Sequence, residues 1–208
     1  MTAGVFEVEG GDWFDRTPPP AVPVPAADLL GDLDSRPALL IRENIGILSG
    51  LRIFGEAYEH DGRHHVDLQS EEGYWRARLN PGTPVPALRT PLERVRVEHR
   101  QNDDQAQQPA PAAAADAYEL WDRLAAGPDT PGLRVPVPAR TVRHLHGRRI
   151  IQVTPLGWAW DLRAISEPYD LDGDITLNCC SAQDYYRWLI SGTPPPVAPL
   201  PLYLLWTE

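Results

Sequence analysis

The pattern Gly62-Arg63-x-x-Val66-x-Leu68, with Trp75-x-x-Arg78 following after six residues, returns 85 positions later as Gly147-Arg148-x-x-Ile151-x-Val153 and Trp160-x-x-Arg163. A gapless match of this kind is expected of a supersecondary unit used twice. A chain of 208 residues is long enough to give each copy a core of its own. With 23 prolines and 16 glycines, turns and extended connections should dominate. The expected fold is mainly β: two small antiparallel β modules, the first an SH3-like or OB-like barrel, with one linker helix and one short C-terminal helix.

Four segments follow from composition and periodicity. Residues 1–35, with Pro18-Pro19-Pro20 and acids on both sides, read as a Pro-rich acidic arm. Residues 36–100 form the first module: strands at 38–41, 51–58 and 63–69, a hairpin turn at Asp61-Gly62, a further strand at 73–79, and a last strand alternating from Glu93 to Glu98. Residues 101–132 are an acidic linker with a helix over 112–126 that stops at Gly127-Pro128. Residues 133–208 form the second module. Strands at 140–145 and 148–153 make a hairpin across His146-Gly147, the next strand is 157–165, and Asp172-Gly173 turns into a strand over 174–180. A short helix capped by Ser181 and stopped at Gly192 leads to an extended 194–201 and an edge strand over 202–206.

Several chemistries are excluded by what the chain lacks. All 19 basic residues are arginine, so Schiff-base and P-loop lysines are impossible. An arginine-only set matches a GC-rich coding sequence of actinobacterial type. The two cysteines, Cys179 and Cys180, are adjacent, which rules out an intrachain disulfide framework and a spaced thiolate metal site. No apolar run reaches about 18 residues, and residues 1–13 carry acids where a signal peptide carries positive charge. A cytoplasmic chain with no membrane partner is expected.

The net charge of −10 is concentrated rather than spread. Residues 1–35 hold seven acids against Arg16, and residues 101–132 hold six against Arg123, leaving the modules close to neutral. Against that background the acid-free stretch 134–149 stands out. It supplies the candidate binding residues Arg140, Arg143, His144, Arg148 and Arg149, to which the repeated Arg163 is added as an outward-facing cation. Strand alternation puts the repeated Trp75 and Trp160 in cores and Arg78 and Arg163 opposite them.

Other clusters are weaker. His60, His64 and His65 crowd one hairpin with Asp61 and Asp67, but the two-residue turn sets His64 across from Glu59 and His65 across from Tyr58, on opposite faces. The stretch from Asp170 to Asp174 lacks the Gly and Glu of a calcium loop, with Ile175 and Ser181 in their places. No cofactor, metal or catalytic residue is assigned. Three readings are carried forward: a non-catalytic cytoplasmic adaptor acting through a protein partner, a nucleic-acid-binding regulator using the basic stretch, and an enzyme with dispersed His and Asp groups.

Overall fold

A computed structural model describes residues 13–42, 46–100 and 135–208. The linker helix expected at 112–126 lies outside the described residues. The architecture is mainly β, with two antiparallel sheets, one in each of two compact units. No described helix is long and apolar enough to cross a membrane.

The first unit is built on six strands: β1 (Val22–Pro25), β2 (Pro37–Arg42), β3 (Gly46–His60), β4 (Arg63–Ser70), β5 (Leu88–Pro91) and β6 (Val95–His99), in the order β1-β6-β2-β3-β4-β5. Alternating apolar residues turn inward, so Leu40, Ile53, Val66, Leu68, Val95 and Val97 are all buried. Each such side chain contributes about 1.5–3 kcal/mol by its burial. Asp61 and Gly62 have φ of 51° and 71°, the left-handed pair that a tight β3–β4 hairpin requires. The sheet is an open path and not the closed barrel expected.

Where a strand is expected at 73–79, the chain forms helix α1 (Glu71–Leu79). The Ser70 hydroxyl accepts from the Gly73 amide at 3.0 Å, and Glu71 and Glu72 occupy the positive end of the helix dipole. This N-terminal capping outweighs the strand-like spacing of Trp75, Ala77 and Leu79. A second helix, α2 (Ala182–Ser191), belongs to the same unit, although the strand before it does not. Trp75 of α1 stacks on Tyr186 of α2, with centroids 6.2 Å apart and planes at 16°. Gly192, at φ 73°, ends α2 as expected by returning its amide to the Trp188 carbonyl.

The second unit holds β7 (Val137–Pro138), β8 (Arg149–Thr154), β9 (Gly157–Ala164), β10 (Tyr169–Leu171), β11 (Asp174–Ser181), β12 (Ala198–Pro201) and β13 (Leu205–Thr207). Thr176 pairs with both Tyr169 and Pro201, and Cys179 with both Ala164 and Ala198, so β9 and β10 share one side of β11 and β12 takes the other. The order is therefore β7-β13-β8, then β9 with β10, then β11-β12. That is the order of the first sheet, with β9 and β10 standing where the long β3 stands.

The registers repeat as well. Arg52↔Gln69 recurs as Arg163↔Cys180, Tyr58↔His65 as Tyr169↔Thr176, Ala38↔Val97 as Ile150↔Thr207, and Val24↔Val97 as Val137↔Thr207. One sheet design thus occurs twice, but not in the register that the 85-residue pattern implies. That pattern matches Trp75 and Arg78 on a helix with Trp160 and Arg163 on a strand.

Three further expectations change. Residues 140–145 are not a hairpin strand: a 3-10 turn covers Ala139–Thr141, and β8 pairs instead with β9. Folding begins well before position 36, since β1 joins the sheet and Ala26 and Leu33 are fully buried. The last strand is interior, because β13 lies between β7 and β8 and buries Leu205 and Thr207.

Proline explains much of how these sheets end. β1 carries Pro23 and Pro25, β7 carries Pro138, and β12 carries Pro199 and Pro201. Prolines two apart in a strand put their missing N–H groups on one side, which an edge strand accommodates by facing that side away from its partner. An outer edge without donors is a poor template for a further strand.

Candidate binding faces

In each sheet the loop between the first two strands along the chain, β1 and β2 or β7 and β8, carries one scheme of clasps. In the first, the Leu33 amide donates to the Glu56 carboxylate at 3.3 Å, Ser35 N–H to Ile53 O at 3.0 Å, and Ile53 N–H to Arg36 O at 3.1 Å. In the second, the Leu145 amide donates to Glu167 at 3.1 Å, Gly147 N–H to Ala164 O at 2.8 Å, and Ala164 N–H to Arg148 O at 3.1 Å. The arginines follow the same plan. Arg36 Nε donates to Asp32 O and Arg148 Nε to His144 O at 2.7 Å; Arg52 Nη1 donates to Ser35 O at 2.8 Å and Arg163 Nη1 to Gly147 O at 3.1 Å.

These clasps reassign two of the six candidate residues. Arg163 is buried, 8% exposed, and so is not an outward cation; it braces the loop backbone as Arg52 does. Arg148 keeps an exposed head but spends its Nε on the His144 carbonyl. Arg149, half-buried in β8, pairs across to Arg163 and receives the Thr207 hydroxyl on its carbonyl at 2.8 Å. Arg140, Arg143 and His144 are exposed on the loop, the last at 88% side-chain exposure. The Ala139–Thr141 turn packs beside the Leu202–Leu204 turn, whose Tyr203 is 59% exposed. His144 Nδ1 lies 3.9 Å from Glu167 Oε1, so the carboxylate that clasps Leu145 also faces the histidine.

The second face lies on β3, β4 and β5. The Tyr58 hydroxyl donates to Asp67 Oδ1 at 2.7 Å and accepts from Arg89 Nε at 3.1 Å, and Arg89 Nη1 donates to His60 Nε2 at 2.8 Å. His65 stacks on Tyr58 and meets His60 edge-on. Burial and the Asp67 carboxylate both raise the Tyr58 pKa, and Arg89 opposes them. In the second unit Tyr169 donates to Asn178 at 2.7 Å in the same geometry, while Leu171, Thr176 and Pro199 occupy the sheet positions of His60, His65 and Arg89. The tyrosine bond belongs to the common scaffold, then, and the histidines and arginine are additions to it. Among the described residues, no group of three His, Cys, Asp or Glu converges to hold a metal ion.

Arg78 also departs from a simple outward position. It pairs with Asp34, and its guanidinium lies 5.3 Å from the ring centroids of both Phe54 and Tyr74. Arg52 is deeper, 6% exposed at its side chain, and forms a buried ion pair with Glu71 at 2.8 Å, a contact that no sequence pattern signalled. No protein-family model, curated protein or solved structure matches the chain.

Proposed function

We propose that the protein is a non-catalytic adaptor that acts by binding a protein partner. The observation that carries this reading is the contrast between a hydrogen-bonded framework used twice and the unlike faces it supports: Tyr58, His60, His65 and Arg89 on the first sheet, Arg140, Arg143, His144 and Tyr203 on the loop and turns that adjoin the second. A framework that pins the backbone beneath each face suits recognition, where a pre-organised surface loses less entropy on contact. Both cysteines are buried and neither is in a disulfide, which fits a reduced, cytoplasmic setting, and burial pushes the Cys179 thiol up to about 12, as for an inert structural thiol.

The deciding experiment is affinity capture from the native host with the full chain immobilised, followed by quantitation of what is retained. A partner in stoichiometric amount is expected. Recovery of none, together with turnover of a small substrate by the purified chain, would overturn the reading. Nucleic-acid binding is the second reading, favoured by the exposed arginines of 140–148 beside the aromatic Tyr203. It requires salt-dependent DNA or RNA binding that is lost when Arg140 and Arg143 are removed.

A further inference from the structure

The first unit serves as an internal control for the basic loop of the second. Residues 26–36 and 139–148 make the same clasps: Leu33 and Leu145 to a glutamate, Ser35 and Gly147 to a strand carbonyl, Arg36 and Arg148 to a carbonyl four residues back. Where the second loop carries His144 and His146 before and after its buried leucine, the first carries Asp32 and Asp34 around Leu33. Where the second has Arg140 after its buried Ala139, the first has Ala27 after Ala26. The loop therefore folds with an acidic or neutral residue at the sites of Arg140, His144 and His146, and these three answer to some requirement other than folding.

We infer that the loop from Arg140 to Arg148, with Tyr203 beside it, is a docking surface for an acidic segment of a partner protein. The inference rests on the adaptor reading and names the surface and the chemistry it fits. Arg140 and Arg143 are exposed and make no ion pair among the described residues, leaving their planar forks open to carboxylates. The backbone beneath them is pinned at Val142, Leu145, Gly147 and Arg148, so the cations are presented on a fixed base. A peptide is favoured over a nucleic acid by the surrounding charge. Glu167 borders His144, Asp170, Asp172 and Asp174 lie on the β10–β11 hairpin of the same unit, and the whole chain is at −10. A short acidic segment can sit on the loop alone, whereas a long phosphate backbone must also approach Glu167 and a chain of net charge −10.

The test uses the full chain and a fluorescein-labelled peptide of alternating Asp and Glu, followed by anisotropy from low to physiological salt. Saturable binding that weakens as salt rises is expected, and Arg140→Glu with Arg143→Glu should reduce affinity by about tenfold or more. Arg63→Glu, on the first sheet, should leave affinity within about twofold. Because Arg140 and Arg143 are exposed, an unchanged thermal melt checks that the double variant is folded. Absence of saturable binding at low salt, equal affinity of the double variant, or tighter binding of an oligothymidylate than of the peptide would each overturn the inference. Stoichiometric capture of a partner that does not depend on Arg140 and Arg143 would leave the adaptor reading standing while this assignment falls.

Discussion

The two sheets share strand order, register and loop clasps, yet the residue that opens the helix after the equivalent strands β4 and β11 differs. Arg52 has Glu71 within 2.8 Å at the start of α1, while Ala182 begins α2, the helix that follows the equivalent strand β11. Arg52 also lies 5.7 Å and 5.4 Å from the rings of Tyr74 and Trp75. The comparison separates what the design requires from what one copy adds. An arginine that braces the loop carbonyl is common to both, and the first copy has Glu71 where the second has Ala182.

The largest effect should follow from breaking the pair of Arg52 and Glu71. Glu71→Leu leaves the Arg52 charge buried opposite an alkyl group and should cost about 3–5 kcal/mol. Adding Arg52→Met to Glu71→Leu should recover most of the loss in chemical denaturation, because a buried pair replaced by apolar side chains of similar volume is often neutral. If the double variant is no better than the single, Arg52 matters mainly for its Ser35 bond.

A smaller and deliberately equal effect is expected at the carboxylate clasps. Glu56→Ala and Glu167→Ala each remove the acceptor of a buried leucine's amide and should each cost about 1–2 kcal/mol. A large cost in one and none in the other would break the equivalence. Smaller again is the effect at the left-handed position after each buried leucine, Ser35 at φ 70° and Gly147 at φ 79°. Gly147→Ser should cost about 1 kcal/mol, and Ser35→Gly should be neutral or slightly stabilising.

The smallest expected difference is one of pH. Burial, and then Arg36, lower the His99 pKa from its usual value, with Asp32 opposing them. A histidine depressed in the folded state is protonated more readily when unfolded. Its contribution is thus present above the unfolded value of about 6.5 and fades as pH falls below it. His99→Gln should flatten the acid side of the stability profile of the full chain; an unchanged slope below that pH would mean that His99 is not the group responsible.

Much of the fold was legible because its signals were local. Asp61-Gly62 and Asp172-Gly173 marked hairpins that the positive φ values bear out, and Ser181 and Gly192 marked the ends of α2. Helix α1 was hidden because Trp75, Ala77 and Leu79 mimic strand alternation, while its capping serine sits at the end of a strand. Arg163 misled for another reason: alternation assigns it a face, but both faces of β9 are covered near Ala164, so the face did not imply solvent. The true repeat was present in short words. Val-Pro-Val-Pro-Ala stands at 22–26 and 135–139, Tyr-x-x-Asp-Gly at 58–62 and 169–173, and Gly-Thr-Pro-x-Pro at 82–86 and 192–196. Insertions of one or two residues between these words shift their spacing, and an ungapped comparison at 85 positions passes over them.

The common loop design is tested most directly by amide hydrogen exchange on the full chain, read residue by residue. Leu33, Ser35 and Ile53 should be protected together with Leu145, Gly147 and Ala164, and Glu56→Gln or Glu167→Gln should speed exchange at its own leucine only. Protection of one set beside rapid exchange of the other, or loss at both leucines from either substitution, would contradict two independent copies of one framework.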